Sequence, residues 1–422
     1  MKFVLAGYGT RGDVEPCVAV GHELLRRGHE VRMAVAPNLV GFAESAGLSA
    51  VAYGRWAELG PERDLCACFS RNFWKVRDLT RLWREVGEPV TRYWNEVSAA
   101  LMSLADGADL LLTAGVLEQY AANVAEYYDI PLAALHYFPI RPNGHVVQVA
   151  PPPLVYSATT VLNWLYWRWT NELDKAQRRE LGLPTAIGPA SRRMASRGSL
   201  EIQAYDSFCF PGLAAEWAKL DGRRPFVGAL TAELATDDDD EVKAWIAAGT
   251  PPIYFGFGSV PVVSPAETLA MISAACAQVG ERALVCAGAT DFDSPPTEAH
   301  VKVVGAVSHS AVLPACRAVV HHGGTGTTAA GLRAGVPALV LWLLGDQPIW
   351  GNAVKRLRVG TARRFTGTTR ESLVADLRTI LAPQYLNSAR HVASRMTEPA
   401  ESAASAADLV ENFARAGVSA HL

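Results

Sequence analysis

Short, nearly continuous apolar runs alternate along this chain with longer stretches in which apolar residues recur every third or fourth position. Runs of the first kind fit strands buried on both faces, and the periodic stretches fit helices lying over them, which is the pattern of parallel βαβ construction. In the first half the pattern predicts strands at Lys2 to Ala6, Glu30 to Val35, Ser49 to Tyr53, Leu110 to Thr113, Leu132 to His136, Glu201 to Tyr205 and Phe226 to Leu230. Helices are expected over Val14 to Arg27, closed by Gly28, near Arg81 to Ala105, and over Glu118 to Tyr128.

The second half repeats the rhythm. Strands are expected at Pro252 to Phe257, Arg282 to Ala287, Val301 to Val304, Ala318 to Val320 and Ala338 to Trp342. Helices are expected over Ala266 to Val279, Ser310 to Pro314 and Gly326 to Ala334, from Arg370, and from Tyr385 to Arg415. The fold class is therefore α/β, with two Rossmann-like, doubly wound parallel-sheet domains. The polar, Arg-rich stretch Ser191 to Ser199 reads as an exposed loop. The acidic stretch Thr236 to Glu241 marks a break before helical spacing resumes at Trp245, which puts the domain boundary between residues 210 and 240. Within it, Asp237 to Asp240 reads as a solvated helix start. Two intervals, Gly54 to Leu79 and Pro139 to Pro153, lack either period, as binding loops often do.

Composition narrows the function. The chain has 422 residues, half of them apolar, with a net charge of −3. That length is enough for two cores, and the missing basic surplus argues against nucleic acid as a partner. Seven cysteines, scattered apart from Cys66-Ala-Cys68 without disulfide or metal-ligand spacing, fit a reducing compartment. The apolar run at Met1 to Ala6 is too short for a signal peptide, and no long apolar stretch follows, so a cytoplasmic protein is expected.

The most informative stretch is Ala318 to Leu341, which runs from a buried strand through His321-His322-Gly323-Gly324-Thr325-Gly326-Thr327-Thr328 into a helix start. A helix N-terminus carries unpaired N–H groups and the positive end of the helix dipole, and Gly323, Gly324 and Gly326 let an anion approach the backbone. The hydroxyls of Thr325, Thr327 and Thr328 can add donors, and His322 can present an imidazole N–H. The acid-amide pair Asp346-Gln347 follows the next strand, giving one face for phosphates and another for polyols.

Between the first strand and helix lies Gly7-Tyr-Gly-Thr-Arg-Gly12, a literal G-x-G-x-x-G. A dinucleotide site would need an acidic residue after the second strand to hold the ribose, and that place is Ala36, which counts against a nicotinamide-dependent enzyme. Asp13 follows the loop and can serve as a general base or as the N-cap of the Val14 helix. Aromatic residues cluster after the irregular intervals: Phe69, Phe73, Trp74 and Trp83 in one set, Tyr156, Trp164, Tyr166, Trp167 and Trp169 in the other. They read as the wall of a wide apolar groove. Arg71, Lys75, Arg77, Arg81 and Arg84 could face an anionic membrane surface.

His322, Gly324, Gly326 and Thr327, followed by Asp346 and Gln347, closely resemble the donor-binding segment of nucleotide-sugar glycosyltransferases of the GT-B fold, especially those acting on sterols, glycopeptide antibiotics and glycopeptidolipids. The resemblance implies two domains facing a cleft: residues 1–215 for the acceptor, a linker at 216–240, residues 241–384 for the donor, and a segment at 385–422 crossing back to the first domain. It implies that His322, Gly323, Gly324, Gly326 and Thr327 hold the diphosphate with Ser259, and that Asp346 and Gln347 hydrogen-bond the sugar. Val307 and His309 would pack against the nucleobase, His309 either stacking on it or capping the short helix. Thr10, Arg11 and Gly12 would form a loop at the cleft, with Asp13 as the base and His322 assisting the departing diphosphate. The implied reaction is inverting, metal-independent transfer from a UDP- or dTDP-sugar to a hydroxyl of a bulky lipophilic acceptor, the nucleotide sugar being a co-substrate and no cofactor being required. Ala330 stands where many relatives carry a Glu that binds the ribose, which leaves UDP and dTDP both open. A sugar-nucleotide epimerase of the same fold is the main alternative.

Overall fold

The computed structural model describes residues 1–54, 94–115, 118–147, 150–220, 222–232, 234, 236, 238–259, 262, 264–292, 298–343 and 345–420. The first aromatic and basic set, Phe69, Phe73, Trp74, Trp83, Arg71, Lys75, Arg77, Arg81 and Arg84, lies outside the described residues. Two compact units account for the chain: Met1–Ala232 together with Thr397–Leu422, and Glu233–Met396.

In the first unit six strands form one parallel sheet: β1 Lys2–Gly7, β2 Glu30–Val35, β3 Ser49–Ala52, β4 Leu110–Ala114, β5 Leu132–His136 and β6 Leu200–Gln203, in the order β3-β2-β1-β4-β5-β6. The second unit contributes β7 Ile253–Gly256, β8 Ala283–Cys286, β9 Val301–Val304, β10 Ala318–His321, β11 Ala338–Trp342 and β12 Gly360–Arg364, in the order β12-β11-β10-β7-β8-β9. Both are doubly wound sheets. Their central strands are fully buried because helices cover both faces, which is why those segments read as unbroken apolar runs.

Such a sheet opens a crevice where its strand order reverses, at the carboxyl ends of the two strands flanking the reversal. In the first unit these strands are β1 and β4, with Gly7 opposite Ala114. In the second they are β7 and β10, with Gly256 opposite His321. The Gly7–Gly12 loop leaves the first switch point, and the Phe257-Gly258-Ser259 and His322-Gly323-Gly324 loops leave the second.

Several expected elements are corrected. The first helix is Arg11–Arg26 with Thr10 as N-cap, so Asp13 sits inside the first turn and is not the cap. Ala190–Ser196 is a helix, held by buried Met194. Phe226 makes only an isolated bridge to Gln203, because Pro225 lacks an N–H and Gly228 turns the chain at φ +80°. Asp239–Ala247 is a helix whose Asp239 is buried, against the expectation of a wholly solvated start. β12 was not expected, since Gly-Thr-Ala-Arg-Arg shows no apolar run; it is an edge strand. The final stretch is two helices, Pro383–Ala393 and Pro399–Ala420. The first of these clusters with the second unit, whereas the sequence reading placed the crossing segment at 385–422.

Candidate functional site

In the second unit, β10 delivers two histidines in sequence, and the structure gives them different roles. His321 is fully buried; its Nδ1 accepts the Gly323 N–H at 3.1 Å, which shapes the turn. Burial, reinforced by the neighbouring His322 and His309, pushes its pKa down to about 3, so it is a neutral structural group. The His322 ring lies between two glycines. A Cβ on Gly258 would stand 2.6 Å from its Cε1, and one on Gly324 would stand 2.5 Å from its Nε2. Burial lowers the His322 pKa as well, against the opposite influence of the Gly256 backbone, and Nδ1 has no hydrogen-bond partner among the described residues. Burial thus favours a neutral imidazole in this loop.

The helix Thr325–Ala334 begins directly after it. Its N-cap is Gly324, which has no side chain to close the end, and no backbone hydrogen bond of Gly326 or Thr327 N–H to a turn or loop carbonyl is found among the described residues. The Thr328 hydroxyl donates to the Gly324 carbonyl at 2.8 Å, so it is an internal bond and not the free donor expected. Thr327 and Gly326 are partly exposed, and the Cβ position of Gly326 is open for 4 Å around. Ser259, on the neighbouring loop, is partly exposed too.

Gly323 ties the loop to the Asp346-Gln347 pair. At φ +94°, its Cβ position lies 3.1 Å from the Gln347 carbonyl oxygen and 2.8 Å from Val340 Cγ1, so only glycine lets these segments touch. Asp346 is the N-cap of the helix Gln347–Arg356 and is partly exposed. Gln347 is buried, and its Oε1 accepts the Leu343 N–H at 2.7 Å.

On the other side, Val307 is buried behind exposed Gly305 and Ala306. His309 does not cap the short helix, whose N-cap is Ser308; its Nε2 lies 3.0 Å from the Tyr254 hydroxyl. Asp239 reaches this loop from outside the motif, accepting the Ser308 N–H at 2.8 Å while also holding Thr236 N–H and hydroxyl at 2.9 and 2.7 Å. Its pKa is lowered: burial opposes this, and the three hydrogen bonds outweigh burial. Nothing in the sequence signals this tie, since the helix is capped by Asp238 and Asp239 is its first residue.

In the first unit, Asp13 Oδ2 accepts the Thr10 N–H at 2.6 Å and the Thr10 hydroxyl at 3.0 Å, and Oδ1 accepts the Tyr137 hydroxyl at 2.5 Å. Gly9, at φ +124°, leaves room for that carboxylate, since a Cβ would fall 2.3 Å from Oδ2. Burial raises the Asp13 pKa, with Tyr137 and Thr10 pulling the other way. Arg11 stacks over Phe42 at 4.6 Å and lies 3.7 Å from Glu15, and Gly12 is exposed. Sequence reasoning missed Tyr137, because nothing in spacing links it to Asp13. It also missed the buried network beside it. Glu118 pairs with His136 at 2.6 Å and Arg141 at 2.7 Å, and Arg141 pairs with Glu201 at 2.6 Å. Of the second aromatic set, Tyr156, Trp164 and Tyr166 are exposed on the helix Pro152–Glu180, beside exposed Leu154, Val161, Leu162 and Leu165, while Trp167 is only partly exposed.

Two family models match the sequence: the glycosyltransferase family 28 N-terminal domain over residues 3–89, and the erythromycin biosynthesis protein CIII-like C-terminal domain over residues 289–414. A protein of Mycobacterium tuberculosis described as an uncharacterized glycosyltransferase is 62% identical over 417 residues, covering 98% of this chain and 99% of its own. The chain belongs to the GT-B glycosyltransferases. The glycosyltransferase GtfE of Amycolatopsis orientalis is 30% identical over 99% of this chain and 98% of its own. Among solved structures, the kitacinnamycin glycotransferase matches this glycosyltransferase with a TM-score of 0.71 at 17% identity, over 98% of both chains. The calicheamicin glycosyltransferase CalG4 matches with a TM-score of 0.66 at 18% identity, over 98% of this chain and 97% of its own. These structural likenesses share the two-sheet architecture, and the relatives make this glycosyltransferase an enzyme of the hexosyltransferase class. No helix among the described residues is long and apolar enough to cross a membrane.

Proposed function

We propose that this glycosyltransferase moves a sugar, with inversion, from a pyrimidine nucleoside-diphosphate sugar to a hydroxyl of a bulky lipophilic acceptor. The observation that carries the reading is the uncapped helix start at Gly324, opening at the switch point of the second sheet beside a neutral His322. Backbone amides and a helix dipole fixed in place stabilise charge developing on a departing diphosphate without reorganising, and they supply the positive potential for which a metal would otherwise serve. In this reading Gly326, Thr327 and Ser259 bind the phosphates, His322 donates its N–H to them, Asp346 and Gln347 meet the sugar, and Val307 and His309 flank the base. Thymidine diphosphate occupies the solved structures of VinC and SsfS6, which favours dTDP over UDP as the nucleotide.

The first unit supplies the base and the acceptor surface. Asp13 takes the acceptor proton, and its raised pKa makes it a stronger base than an exposed carboxylate. Exposed Leu154, Tyr156, Val161, Trp164 and Leu165 on one helix offer apolar area suited to a lipophilic acceptor, or to the membrane in which such an acceptor dissolves. Incubation with a panel of UDP- and dTDP-sugars and lipophilic hydroxyl compounds, read by product mass with and without a chelator, tests the assignment. Asp13→Asn keeps an oxygen to accept the Thr10 N–H but cannot take a proton, so transfer should fall at least about 100-fold while nucleotide binding persists. Wild-type turnover in that variant refutes the base, and absence of any nucleotide binding by the wild type refutes the donor site.

A further inference from the structure

The carboxylate of Asp13 does not sit alone at its switch point. β5 ends in His136, which turns into the buried Glu118–Arg141 network, and the next residue, Tyr137, points the other way and reaches Asp13. Tyr137 is 8% exposed, and its hydroxyl donates to Oδ1, the oxygen that Thr10 leaves unoccupied. Gly115, directly after β4, leaves room for that hydroxyl, since a Cβ there would stand 2.5 Å from the phenol oxygen. Asp13 is thus gripped from its own helix through one oxygen and from the β4–β5 edge of the sheet through the other. Because both oxygens turn together about the Cβ–Cγ bond, the Thr10 contacts on one and the Tyr137 contact on the other hold a single carboxylate plane between them.

We propose that Tyr137 is the positioning residue for the catalytic base, holding the Asp13 carboxylate in one orientation and weakening its basicity by donating to its charged form. The inference rests on the reading of Asp13 as the base, and nothing in the sequence or the comparisons assigns a role to Tyr137. A hydrogen bond donated to a carboxylate favours the ionised state, so its removal raises the carboxyl pKa. The acid limb of a pH–rate profile that depends on ionised Asp13 then moves to higher pH.

The test uses the full-length protein labelled with 13C at the aspartate side-chain carboxyl, with the Asp13 signal assigned by its disappearance in Asp13→Asn. Titration of the wild type and of Tyr137→Phe reads the Asp13 midpoint directly, with no need to know the acceptor. An upward displacement in Tyr137→Phe, together with a several-fold lower kcat at unchanged KM for the sugar nucleotide, supports the proposal. An unchanged midpoint overturns it, as does a loss of rate that is equal at every pH, since a merely structural role would produce that. Gly115→Ala is the second variant: it pushes the phenol aside without removing it and should displace the midpoint in the same direction, so an unmoved midpoint there also counts against the proposal. If Asp13→Asn transfers sugar at the wild-type rate, the base assignment fails, and the NMR result then concerns only the carboxyl's orientation.

Discussion

Gly326 and Gly324 are two residues apart in the same motif, yet the structure separates their roles. The Cβ position of Gly324 collides with the His322 ring, whereas that of Gly326 meets nothing within 4 Å. Gly326→Ala should therefore leave the ligand-free protein as stable as before, or more stable by up to about 1 kcal/mol from helix propensity. Its effect should appear only when a diphosphate comes close to the backbone, as a tenfold or greater loss of dTDP affinity measured by calorimetry. Gly324→Ala should lower the unfolding midpoint as well, because the imidazole must move whether or not ligand is present. Equal nucleotide affinity in the wild type and Gly326→Ala would place the phosphates elsewhere. The paired histidines divide in the same way, His321 holding the turn through the Gly323 N–H and His322 lying between Gly258 and Gly324, a distinction the doubled letters in the sequence do not carry.

At the scale of elements, the helix Asp239–Ala247 does more than begin the second unit. Asp239 joins its own N-terminal turn to the loop before the His309 helix through three hydrogen bonds, two to Thr236 and one to the Ser308 N–H. Asp239→Ala removes hydrogen bonds to a carboxylate and should cost roughly 1.5–3 kcal/mol of stability, and faster amide exchange at 305–309 should accompany it. Unchanged exchange there would confine the effect of Asp239 to its own turn. Because its folded pKa is lowered, this contribution is complete above the unfolded carboxylate range and fades as pH falls through the lowered folded value.

Central strands were readable because burial on both faces leaves an apolar run with no polar interruption, as at β4 and β10. The edge strand β12 was not, since exposed Arg364 and partly exposed Arg363 erase the pattern. The glycine-rich turn and its acid-amide sequel were legible as a linear motif. Tyr137, the Asp239 tie and the Gly258 wall of the His322 cradle were not, because each meets its partner only after strands far apart in sequence have paired. The Ser191 to Ser199 stretch misled for a related reason. Its arginines look solvated, but Arg193 is paired with Asp174 at 2.9 Å and with Asn123 at 3.0 Å, partners that composition does not reveal.

For the whole molecule, the path of the chain matters more than any single contact. The first unit is completed by residues that follow the second: Ala406, Ala407, Val410 and Ala414 are fully buried, Arg27 pairs with Asp408 at 2.6 Å and Glu411 at 3.1 Å, and Asp206 accepts the Thr397 N–H and hydroxyl at 3.0 and 2.7 Å. Burial of Val410 alone is worth ~1.5–3 kcal/mol. Removal of residues 397–422 should strip hydrogen-exchange protection from β1 to β6 while β7 to β12 keep theirs, as read by mass spectrometry. Equal loss in both sheets would mean that the two units do not fold independently.

Because the second unit is one uninterrupted run, all of its chain is synthesised before the segment that completes the first unit. Until residue 397 and those beyond it emerge, the seat for Val410 stays bare to water. The part that leaves the ribosome first is therefore the last to close, and premature termination near the end would leave the first unit unfinished beside a second unit whose chain is whole.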